Sequence, residues 1–98
     1  MPNYKCKITV IRKSFHEDLY KQYPYGEPGP CGRLEVGQEF ITESEWDPPE
    51  GLCTWAWADM RFIIHSMHAG NPIVKIESCT DGLRPVLFKV ERIEVGDI

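Results

Sequence analysis

The sequence contains no Cys-x-x-Cys pair, no Gly-rich phosphate loop, no Gly-x-Ser-x-Gly and no His-Glu-x-x-His. Those absences remove the signatures of zinc ribbons, thioredoxins, nucleotide cradles, serine nucleophile elbows and zinc proteases. No apolar run approaches the ~20 residues of a membrane span, so no membrane partner is expected. Positive charge is also scarce: 11 Lys and Arg against 15 Asp and Glu leave a net charge of −4. A phosphate backbone is repelled by that balance unless the basic groups cluster. They cluster only at Lys5, Lys7, Arg12 and Lys13, and on an extended strand Lys5, Lys7 and Lys13 share one face, the ordinary solvated one. No nucleic-acid partner is expected. Met1-Pro2-Asn3-Tyr4-Lys5 leads straight into an alternating segment without a leader peptide, which makes the cytoplasm the expected location. Thiols stay reduced there, so the four cysteines are expected to be buried, metal-bound or reactive rather than paired in disulfides.

What is present fits a single domain of 98 residues with 42% hydrophobic side chains, enough for a thin core. Residues 3–12 alternate, with Tyr4, Cys6, Ile8 and Val10 on one face, as a half-buried strand does. Cys6 falls on the apolar side and is expected to be a small core residue. A short helix is expected from His16 to Tyr23, with Ser14 as its cap. Residues 23–32 hold three Pro and three Gly, which excludes a helix or a central strand there. A second strand is expected from Val36 to Thr42, with Phe40 and Ile41 on opposite sides. After the break at Trp46 to Gly51, a helix runs from about Leu52 to His68, stopped by Gly70 and Pro72. Residues 73–79 and 86–95 form a strand pair around the Asp81-Gly82 turn. The order implies an α+β domain: a small, mostly antiparallel four-stranded sheet packed by one main helix, with one short extra helix.

At about 100° per residue, Ile63, Ala56, Met67, Met60, Cys53, Ile64 and Trp57 fall within one arc of the main helix. That arc must face the sheet, with Cys53 in the first turn. Cys53 is therefore either a small buried residue or a thiolate favoured by the positive end of the helix. Trp55 and Phe62 lie on the opposite face and need a cover: the Pro-rich loop, a ligand or a second subunit, which makes them the expected interface of a homodimer. His65 and His68 sit together on the polar flank, either as complements to the helix dipole or as two ligands of a metal.

Three cysteines stand where chemistry is plausible: Cys31 in the Pro/Gly loop, Cys53 at the helix start and Cys79 at a strand end. Three converging thiolates would select zinc or another thiophilic metal and leave one coordination position open. Asp59, Asp81 and Arg84 form the accompanying polar cluster. Arg84 either forks onto an anionic ligand or locks the turn to the helix through Asp59 or Asp81.

Three stretches carry a resemblance. Cys31-Gly32-Arg33-Leu34-Glu35-Val36-Gly37-Gln38-Glu39-Phe40, Pro49-Glu50-Gly51-Leu52-Cys53-Thr54-Trp55-Ala56-Trp57-Ala58-Asp59 and Cys79-Thr80-Asp81-Gly82-Leu83-Arg84-Pro85-Val86 together resemble a family of small bacterial and archaeal proteins of about this length. No activity is attached to that family, so the resemblance implies a stand-alone small domain and nothing more. Its motifs include the cysteines at 31, 53 and 79 but not Cys6. The leading expectation is a small binding module with a cysteine-lined site for a metal or small ligand. A thiol or redox enzyme using Cys53, and a homodimeric interaction protein without catalysis, stand beside it.

Overall fold

The computed structural model describes residues 2–97. The chain runs β1 (Pro2–Lys13), α1 (Glu17–Gln22), β2 (Glu39–Ile41), α2 (Thr54–His68), β3 (Val74–Ser78) and β4 (Val86–Asp97). The four strands make one antiparallel sheet in the order β2-β1-β4-β3. This is the expected small α+β architecture, with α2 on one face of the sheet.

The alternation in β1 and β4 creates the inner face. Cys6, Ile8 and Val10 from β1, with Val86, Phe88 and Val90 from β4, are buried at 0–1% exposure. Opposite them lie Ala56, Trp57, Met60, Ile63, Ile64 and Met67 of α2. Burying a side chain of this kind contributes about 1.5–3 kcal/mol, so the face between α2 and the β1–β4 pair dominates the stability. Leu34 and Leu52 from the connecting segments, with Phe40 from β2, close the core.

Helix α2 ends in a Schellman arrangement. The Asn71 N–H donates to the Ser66 carbonyl at 3.1 Å and the Gly70 N–H to the Met67 carbonyl at 2.9 Å. Gly70 has φ +120°, a conformation that a side chain resists, and a Cβ there would meet Tyr4 at 3.6 Å. Arg92 lies over the Tyr4 ring at 4.5 Å and donates to the Gly70 carbonyl at 2.6 Å. A cation thus sits at the negative end of the helix, where the dipole favours it.

Several boundaries differ from expectation. A register irregularity between Val10 and Arg12 inserts Ile11 into β1, so Arg12 pairs with Leu87 and Lys13 with Val86. Lys13 therefore leaves the face of Lys5 and Lys7, and Arg12 takes its place. β2 is shorter than 36–42, because Gly37 has φ +93° and already folds back to Val10, donating to its carbonyl at 2.7 Å. Helix α1 starts at Glu17 with His16 as its N-cap, and Ser14 does not cap it.

Candidate functional site

The Pro/Gly loop, the start of α2 and the β3–β4 connection meet at one end of the molecule. The connection is shaped first by Asp81. Its Oδ1 accepts the N–H groups of Leu83 at 3.0 Å and Arg84 at 3.2 Å, closing an Asx-type turn. Asp59, on α2, anchors the same connection to the helix. Its carboxylate accepts the Thr80 N–H at 2.9 Å and the Thr80 hydroxyl at 3.2 Å.

Arg84 then ties the loop down. Its guanidinium donates to Asp81 at 3.2 Å and to three loop carbonyls: Gly29 at 3.3 Å, Glu27 at 3.1 Å and Tyr25 at 2.5 Å. A planar fork of donors is suited to several acceptors at once. Gly26 makes this approach possible, since it has φ +71° and a Cβ there would stand 3.3 Å from Arg84. Burial alone would raise the Asp81 carboxyl, but the two N–H groups and the Arg84 cation outweigh it and hold the carboxyl below its usual value. The locking role expected of Arg84 is present toward Asp81. Asp59 serves Thr80 instead.

This clasp leaves a cavity of about 520 Å³ between the three segments. Cys31, Cys53 and Cys79 all line it, together with Trp55, Tyr25 and Arg33 among others. Asp59, Asp81 and Arg84 border the same space. A second cavity of about 510 Å³ adjoins it through Tyr25, Trp55, Thr80 and Asp81 and reaches Leu19, Tyr23 and Leu83. The sulfur-bearing residues are half-buried and pack on the edge of the core. Cys79 is the most constrained: its N–H donates to the Val86 carbonyl at 3.1 Å, and its sulfur accepts the Val86 N–H at 3.3 Å.

Cys53 differs from expectation in one respect. It is the N-cap of α2 rather than a residue of the first turn. Its carbonyl accepts the Trp57 N–H at 2.9 Å, while its side chain makes no capping bond. Cys53 lines the cavity and packs on the edge of the core. The first turn of α2 carries no acidic residue, although Asp59 and Asp81 border the same cavity.

Among the described residues no group of three or more His, Cys, Asp or Glu is placed to hold a metal ion. Cys31, Cys53 and Cys79 share the walls of one cavity. The histidines have other work. His65 Nδ1 pairs with Glu45 at 2.8 Å, and His68 Nε2 lies 2.7 Å from the buried Thr42 hydroxyl. Thr42 in turn accepts the Cys6 N–H at 2.9 Å.

Burial lowers the His68 imidazole below its ordinary value near 6.5; Glu45 opposes the shift, while His65 and Lys5 add to it. The folded chain therefore binds this proton more weakly than the unfolded chain. The stability tied to neutral His68 is complete above about pH 6.5 and is lost as pH falls toward the lowered folded value. Thermal unfolding followed by circular dichroism is expected to show a midpoint that falls from about pH 7 to about pH 5. His68→Gln, which keeps a partner for Thr42, is expected to flatten that slope; an unchanged slope contradicts the assignment.

Trp55 and Phe62 are 63% and 78% exposed. Trp55 forms a wall of both cavities beside the loop residue Tyr25, whereas Phe62 stands clear of them. Sequence reasoning missed Tyr25, Arg33 and Thr80. A tyrosine inside a Pro/Gly loop was the available signal for the first; Thr80 carried none apart from its neighbour Cys79. No family model, curated protein or solved structure matches the chain.

Proposed function

We propose that this chain is a small binding module, and that the thiol-lined cleft receives a small organic ligand. The carrying observation is that Cys31, Cys53 and Cys79, from three separate segments, line one cavity of about 520 Å³. That volume lies within the ~300–1,000 Å³ of ordinary small-molecule sites. Its apolar wall of Trp55 and Tyr25 suits a flat or apolar ligand body, and the thiols suit a polarisable or electrophilic group. Arg84 and Asp81 satisfy each other and their backbone partners, and Asp59 is taken by Thr80, which makes the three the frame of the cleft; Arg33, in the same lining, is a cation placed to meet a ligand. The three thiols also stand in the three sequence motifs that carry the family resemblance.

A fragment library followed by protein NMR tests this reading. Hits are expected to shift amides of residues 25–33, 53–55 and 79–81 together, and Trp55→Ala is expected to weaken them about tenfold. Hits that scatter over the surface, or affinity unchanged by Trp55→Ala, contradict it. A second reading, a thiol or redox enzyme using Cys53, is favoured by one observation: an uncapped, half-buried thiol at a helix N-terminus that has no acidic first turn.

A further inference from the structure

Strand β3 is an edge of the sheet, and its outer side is unguarded by bulge or proline within Val74–Ser78. Ile73, Val74 and Ile76 are 61%, 53% and 51% exposed. The Arg92 N–H donates to the Ile73 carbonyl at 2.8 Å, and the Cys79 N–H to the Val86 carbonyl at 3.1 Å, so Ile73 and Cys79 turn their backbone groups toward β4. Alternation along the ladder does the same for Lys75 and Glu77. Val74, Ile76 and Ser78 therefore point their N–H and C=O groups at the open edge.

We propose that this edge docks a second copy of the same chain, antiparallel, about a two-fold axis at Ile76. The two four-stranded sheets then continue into one another. Ile76 faces the partner's Ile76, and Val74 faces the partner's Ser78, each as a pair that exchanges both backbone hydrogen bonds. Lys75 lies opposite the partner's Glu77, and Glu77 opposite the partner's Lys75. Charge selects this register over its neighbours. Centring the axis on Lys75 sets Lys75 against the partner's Lys75, and centring it on Glu77 sets two carboxylates face to face. Lys75 and Glu77 already meet at 3.1 Å within one strand, so the paired edges place four charges of alternating sign side by side. On the opposite face the exposed Val74 and Ile76 gain apolar neighbours.

Sedimentation velocity across a concentration series tests the proposal. The parent chain is expected to dimerise. Lys75→Glu and Glu77→Lys each place like charges opposite one another and are expected to weaken the dimer about tenfold. An equimolar mixture of the two variants restores opposite pairing and is expected to regain dimer, as is the double variant K75E/E77K. Circular dichroism confirms that each variant folds. A parent that stays monomeric at millimolar concentration overturns the proposal. So does a dimer indifferent to both reversals, which would assign the contact to another surface such as that of Trp55 and Phe62.

Discussion

A small alkylating reagent at about pH 8 is expected to modify Cys31, Cys53 and Cys79 of the folded chain and to spare Cys6 until the protein unfolds. Two effects combine. Cys6 is 0% exposed beneath Ile64, whose carbonyl its sulfur approaches at 3.8 Å. Burial also pushes its thiol up to about 11, against an opposing hydrogen bond with Thr42. The attacking species is the thiolate, which is then about a thousandth of the Cys6 population even before access is considered. Because the reagent reaches Cys6 only through opening of the core, the ratio of rates is expected to exceed ~10³. Peptide mass spectrometry over a time course measures it. Labelling of Cys6 in step with the others contradicts the assignment of Cys6 to the core. The same data order the three cleft thiols. The redox reading requires Cys53 to lead, and a Cys53 slower than Cys31 and Cys79 removes it.

Arg84→Ala is expected to cost about 3 kcal/mol and to release the Pro/Gly loop. The Arg84 side chain is 12% exposed, and its guanidinium holds Asp81 and three carbonyls. Hydrogen bonds to a charged group contribute about 1.5–3 kcal/mol each when counted singly, and they share one side chain here, so their losses do not add. About 3 kcal/mol is a large part of the ~5–15 kcal/mol that stabilises a domain. At this size it lowers the unfolding midpoint by roughly 15 °C. Trypsin is expected to cut the variant after Arg33 well below that midpoint, where the parent resists. Arg84→Lys keeps the charge without the fork and is expected to recover less than half of the loss. A variant as stable and as resistant as the parent contradicts the clasp.

The main layers of the fold were legible because two periodicities dominate the sequence. Tyr4, Cys6, Ile8 and Val10, then Val86, Phe88 and Val90, alternate cleanly, and the residues of the α2 arc recur at helical spacing. The ends were less legible. Two residues at the start of α2 look helical by composition, but Gly51 with φ +86° and a buried Leu52 delay the first turn until Thr54. The Ile11 insertion in β1 has no compositional mark, so the place of Lys13 was wrong.

The site was legible in part for a similar reason. Loop and strand-end cysteines with an adjacent Arg and Asp point to a polar, sulfur-bearing corner. The aim of each sulfur was not legible, because it is set by the Val86 backbone at Cys79 and by the N-cap position at Cys53. The grip of Arg84 on the loop was hidden as well. Its acceptors are main-chain carbonyls, which every residue carries and no sequence pattern reveals.

One labelling experiment bears most directly on the shared cleft. A maleimide carrying a bulky aromatic group is added in excess to the folded chain, and adducts are counted by intact mass. With Cys31, Cys53 and Cys79 lining a single cavity of about 520 Å³, the first adduct fills the space and blocks the remaining cleft thiols, so one adduct per chain is the predicted plateau. Rapid, independent addition at all of these thiols would show that they open onto separate places, and would contradict the account.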